Sequence, residues 1–89
     1  MAVSVHIPSL FCRQFGTARV ETVRAGTLGE MVAVLDKRFP GLGEQLLDPD
    51  GSLRRWVNVF VGDVSIPWDC AAVYKLELDA LVRIVSNVA

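Results

Sequence analysis

The sequence predicts an α+β fold in which one main helix lies across one face of a mixed sheet of four to five strands. Three observations predict it. An apolar stripe at helical spacing runs through residues 28–39. Strand-like alternation brackets it, at residues 3–7 before and at 56–61 and 81–85 after. Helix and sheet each own one apolar face, and laying one on the other buries both.

The elements follow in chain order. Val3, Val5 and Ile7 alternate with Ala2, Ser4 and His6, the period of a strand with one buried face, and Pro8 ends its ladder. Leu10 to Gly16 reads as an apolar connection, and residues 19–24 as a second strand. The alternation of that strand is broken, with Val20 and Val23 three apart, which admits a bulge and leaves the register open. Thr27-Leu28-Gly29-Glu30 is a capping box, after which Leu28, Met31, Val32, Leu35 and Phe39 make one stripe until Pro40-Gly41 stops it. Residues 41–55 form a long connection with a short helical turn at 44–47 and a turn at Asp48-Pro49-Asp50-Gly51. Val57, Val59 and Val61 face one way in the next strand, Asn58 and Phe60 the other. Gly62-Asp63 is a two-residue hairpin signal leading into Val64-Ser65-Ile66. Residues 67–78 read as irregular, and the last strand sets Val82 and Ile84 against Leu81, Arg83 and Val85. With the first strand central and paired to the last, this is the β-grasp arrangement.

Bulk properties bound the function. Eighty-nine residues make one core, so residues 1–89 are expected to form a single domain. Hydrophobic residues are 52% of the chain, charged residues 21%, and the net charge is −1. That balance argues against disorder and against an electrostatic nucleic-acid binder. No stretch approaches a membrane span, and the N-terminus lacks the basic and apolar regions of a secretory signal. Cys12 and Cys70 fit no metal or redox spacing and read as reduced, apolar-acting thiols, which places the protein in the cytoplasm. Expected partners therefore include neither nucleic acid nor membrane.

Several stretches together resemble one family: Thr27-Leu28-Gly29-Glu30, Arg38-Phe39-Pro40-Gly41-Leu42, Leu46-Leu47-Asp48 with Gly51, Leu53-Arg54-Arg55-Trp56-Val57-Asn58-Val59-Phe60-Val61, and Val82-Arg83-Ile84-Val85 with Val88-Ala89. They resemble the ubiquitin-like sulfur carriers, a family that includes the small subunit of molybdopterin synthase, the thiamine-pathway carrier and the carrier that feeds cysteine synthesis. The resemblance implies a ubiquitin-like β-grasp fold and a carrier, not an enzyme. It also implies that the C-terminal carboxylate is activated by an ATP-dependent adenylating enzyme and converted to a thiocarboxylate. The sulfur then passes to an acceptor of the cysteine synthase or molybdopterin synthase large-subunit type. No cofactor is bound by the carrier itself; ATP is used by the activating enzyme.

The family tail ends in Gly-Gly, and here Val88 and Ala89 stand where those glycines would follow. Three readings stay open: a chain that continues to Gly-Gly, a tail-less interaction module that keeps only docking, and an alanine terminus that is itself activated. The Gly62-Asp63 turn is also shorter than the family hairpin, and Leu78-Asp79-Ala80-Leu81 replaces its usual acidic turn.

Strand parity places His6, Asn58, Phe60, Arg83 and Val85 on the sheet face away from the helix, and these are the candidate partner-docking residues. The competing reading folds residues 67–73 over that face as ordinary core. His6 has no identifiable nucleophile to serve, Arg54 and Arg55 read as a solvated turn, and no metal-ligating cluster is expected.

Overall fold

The computed structural model describes residues 2–77 and 79–86, with only the backbone described for Trp68 and Cys70. The strands are β1 (Val3–His6), β2 (Val20–Val23), β3 (Val57–Val61), β4 (Val64–Ser65) and β5 (Leu81–Ser86), and the helices are α1 (Ser9–Phe15), α2 (Leu28–Arg38) and α3 (Leu42–Leu46). The sheet order is β2-β1-β5-β3-β4. β1 and β5 run parallel at its centre and the other pairs are antiparallel. This is the mixed sheet, with first and last strands adjacent, that the alternation predicts.

α2 forms because its stripe and its cap agree. Leu28, Met31, Val32 and Leu35 are all buried, against Val3, Val5, Val59, Val82 and Ile84 of the sheet. Burying each such side chain is worth about 1.5–3 kcal/mol relative to exposure. At the N-terminus Thr27 Oγ1 accepts the Glu30 N–H at 3.2 Å, but the Glu30 carboxylate lies 3.3 Å from that same hydroxyl instead of reaching back to the Thr27 amide. The capping box is therefore closed through the side chains. At the other end the Asp36 carboxylate accepts from the Gly41 and Gly43 N–H groups at 3.2 and 2.9 Å, turning the chain directly into α3. Gly41 takes φ 97°, which a side chain would strain.

Two segments differ from expectation. Residues 9–15, read as a connection, form α1, which drives Phe11 into the core and ends on Gly16 at φ 75°. Within residues 67–78, read as irregular, Trp68–Val73 is a 3₁₀ helix packed on α2 with Ala71 buried. The second strand carries no bulge: its register with β1 is continuous from Val3↔Val23 to His6↔Val20. Its broken alternation has a simpler cause. Val23 faces the core, Val20 faces the open side, and Glu21, on the helix side, pairs with Arg38 at 3.7 Å.

The contact between α2 and the 3₁₀ segment makes a counterintuitive prediction. Replacing a helical glycine by alanine ordinarily gains up to about 1 kcal/mol. At Gly29, however, a Cβ would stand 2.7 Å from the Ala72 carbonyl oxygen. Gly29→Ala is expected to lower the thermal unfolding midpoint, at an overpacking cost of about 1–3 kcal/mol; a raised midpoint would show that the segment yields freely.

The Asp48–Gly51 turn is held by a Gly51 N–H to Asp48 carbonyl bond of 2.9 Å, with Gly51 at φ 89°. Asp50 accepts the Ser52 N–H at 2.9 Å, and this bond holds its carboxyl below the usual carboxylate range. Arg54 closes the region: Nε donates to the Glu44 carbonyl at 2.7 Å and Nη1 pairs with Asp48 at 2.8 Å. Arg54 is thus a structural brace, while Arg55 stays exposed.

Candidate functional site: the open face of the sheet

Helices cover one face of the sheet, and none of the described elements covers the other. The 3₁₀ segment that competes for it packs on α2 instead, on the opposite side. Period-two alternation then decides which side chains stand on the open face. Val3, Val5, Val57, Val59, Val82 and Ile84 are buried beneath the helices, so their strand neighbours point away.

All five docking candidates lie together there. The registers His6↔Arg83 and Phe60↔Arg83 set His6, Arg83 and Phe60 in one row across β1, β5 and β3. The row extends to Val20 on β2 and Ser65 on β4. Asn58 and Val85 are paired one step along. His6, Asn58, Arg83 and Val85 are exposed, and Phe60 is half-buried. The Arg83 guanidinium carbon lies 5.2 Å from the Phe60 ring centroid, within cation–π range.

Two further exposed apolar residues stand on this face beyond the five docking candidates. Val20, 45% exposed, was hidden by the uneven alternation of its strand, and only the register with His6 reveals its side. Leu81, 42% exposed, had the right parity but lies at the far end of β5, beside Ser4. With Val85 at 37%, the face carries three exposed aliphatic side chains around the arginine.

The site offers no assembled chemistry of its own. His6 has Val20 and Arg83 as its cross-strand neighbours, neither of them a nucleophile. Among the described residues no group of three or more His, Cys, Asp or Glu is arranged to hold a metal ion. Cys12, within α1, is a free, half-buried thiol whose Sγ lies 3.5 Å from the Ile7 and Ala18 carbonyl oxygens. No helix among the described residues is long and apolar enough to cross a membrane. Val88 and Ala89, the expected carrier tail, lie outside the described residues. Ser86, the last one described, pairs with Val57 at the Val85 end of the open face.

No protein-family model matches the chain. Among curated proteins it is similar to the sulfur carrier protein CysO of Mycobacterium tuberculosis and of Mycobacterium bovis, 32% identical over 68 residues that cover 74% of this chain and 73% of the relative. Among solved structures it superposes on the crystal structure of Mycobacterium tuberculosis CysO with a TM-score of 0.85 at 27% identity, covering 97% of this chain and 99% of that one. A chain of the Amycolatopsis orientalis BexX/CysO complex gives a TM-score of 0.88 at 23% identity, covering 99% and 98%, which shows the shared ubiquitin-like β-grasp fold.

Proposed function

The chain belongs to the ubiquitin-like sulfur carriers, the family of CysO, and on that premise we propose that it carries sulfur as a thiocarboxylate on its C-terminal carboxyl group. The carboxylate attacks the α-phosphorus of ATP in the site of an adenylating enzyme, giving an acyl-adenylate and pyrophosphate. A sulfide-level donor then displaces AMP, and the resulting thiocarboxylate is presented to an acceptor enzyme of the cysteine synthase or molybdopterin synthase large-subunit type. In this reading the partners supply every catalytic group. The chain supplies a stable support, a docking face and a carboxyl end.

One geometric observation carries the proposal. β5 lies inside the sheet, with β1 and β3 on its two sides, and ends at Ser86 beside Val85 and Asn58. A partner seated on the open face therefore meets the chain where it continues towards its carboxyl end. The structure of a CysO in complex with BexX supports a reading in which this chain also docks to another protein.

Intact-mass spectrometry of the full-length chain, incubated with ATP, its adenylating enzyme and sulfide, tests the reading. The expected product has one oxygen exchanged for sulfur, only when ATP is present. An unchanged mass after the enzyme has bound the chain would overturn it.

A further inference from the structure

Charge is distributed unevenly between the two sides of the sheet. The chain has 10 acidic residues, yet Glu21 is the one acidic residue within the five strands, and it is turned to the helix side against Arg38. The open-face positions carry Arg83 and His6 and no carboxylate. Asp63 and Asp79 sit in turns at the Leu81 end, away from Val85. No described carboxylate comes within salt-bridge distance of Arg83; the ion pairs formed involve Arg38 and Arg54. Arg83 is thus a cation on the open face, held over Phe60, with its donor edge unclaimed by any described residue. A guanidinium fixed by stacking on an aromatic ring has its planar fork pre-organised for a carboxylate.

Building on the docking role above, we propose that the open face receives a protein whose contact surface sets a carboxylate among apolar side chains, with Arg83 laid over Phe60 as the residue that selects it. Apolar contact would fall on Val85, Leu81 and Phe60, and the carboxylate on the Arg83 fork. A second copy of the chain fits poorly, because a two-fold contact centred on this row would bring Arg83 and His6 against their own counterparts. A membrane surface or nucleic acid fits poorly as well. Either is bound by clusters of cations, and this face has one arginine on a chain of net charge −1.

The test is calorimetric binding of the wild-type chain, Arg83→Met and Arg83→Glu to the adenylating enzyme at low and raised salt, with thiocarboxylate formation followed on the same mixtures. Arg83→Met keeps the stem that packs on Phe60 and removes the charge. About tenfold weaker binding is expected for Arg83→Met and about a hundredfold for Arg83→Glu, with the salt dependence of the wild type lost in Arg83→Met. Circular dichroism checks that each variant is folded, and Arg83→Met decides the matter if Arg83→Glu is not. Binding within about twofold of wild type for the folded variants overturns the proposal while leaving the carrier reading intact. Arginine-dependent binding without any thiocarboxylate does the reverse, and no binding by the wild type overturns both.

Discussion

Phe11→Ala is expected to remove about 3–5 kcal/mol of folding stability, since it deletes a fully buried aromatic ring and leaves a cavity. Phe11 is 1% exposed and meets the Phe15 ring edge-on, with centroids 6.3 Å apart. Phe15 in turn lies against Gly41, where an added Cβ would stand 3.3 Å from its ring. α1 is therefore a plug tying the end of β1 to the exit of α2. A small domain has total stability at the lower end of about 5–15 kcal/mol, so the variant should be partly unfolded at room temperature. Urea unfolding followed by circular dichroism measures it. A loss below about 1 kcal/mol would mean that α1 packs on the core without contributing to it.

Phe60→Asp and Val85→Asp are expected to act in the opposite way, sparing the fold and weakening partner binding by about tenfold to a hundredfold each. Both positions face away from the helices, on strands whose inward residues Val57, Val59, Val82 and Ile84 remain in place. Surface substitutions of this kind change stability by about 0.5 kcal/mol, with a further 0.5–1 kcal/mol at Phe60 from the lost contact with Arg83. Binding to the adenylating enzyme and thermal melting, measured on the same preparations, separate the two effects. Unfolded variants would identify these side chains as core, and folded variants with wild-type affinity would place docking elsewhere.

How much of this could be read from the sequence depends on the length of each periodic signal. α2 offers about three turns of apolar spacing behind a threonine cap, and it was legible to within a residue of its end. The open face of the sheet was legible for the same reason: once Val57, Val59, Val82 and Ile84 are assigned inward, alternation leaves no choice for Asn58, Phe60, Arg83 and Val85. α1 was not legible, because seven residues with a single buried side chain give no period to detect. Gly16, the left-handed residue that stops α1, was its one local sign. The 3₁₀ segment likewise buries only Ala71 among its described side chains, and its place is set by the notch at Gly29, a feature of tertiary packing. Val20 shows the remaining difficulty. An edge strand with an inward carboxylate breaks the alternation rule, and Arg38, 17 positions away, is what permits Glu21 to face that way.

The stacking of Arg83 on Phe60 sits between these cases. Parity places both on one face, but only the register between β3 and β5 makes them neighbours, and register across a sheet is settled by the whole core. The same holds for the separation of charge, which composition alone conceals behind a net charge near zero.

In the proposed function the carboxyl end of the chain is the reactive part and the rest is support. The most direct measurement is the state of that end in the protein's own cells: the full-length chain is isolated under thiol-alkylating conditions and its C-terminal peptide is identified by mass spectrometry. A fraction of that peptide is expected to carry the alkyl group on a C-terminal thiocarboxylate. A C-terminal peptide that always bears an ordinary carboxylate, in cells actively demanding sulfur, would contradict the proposed function.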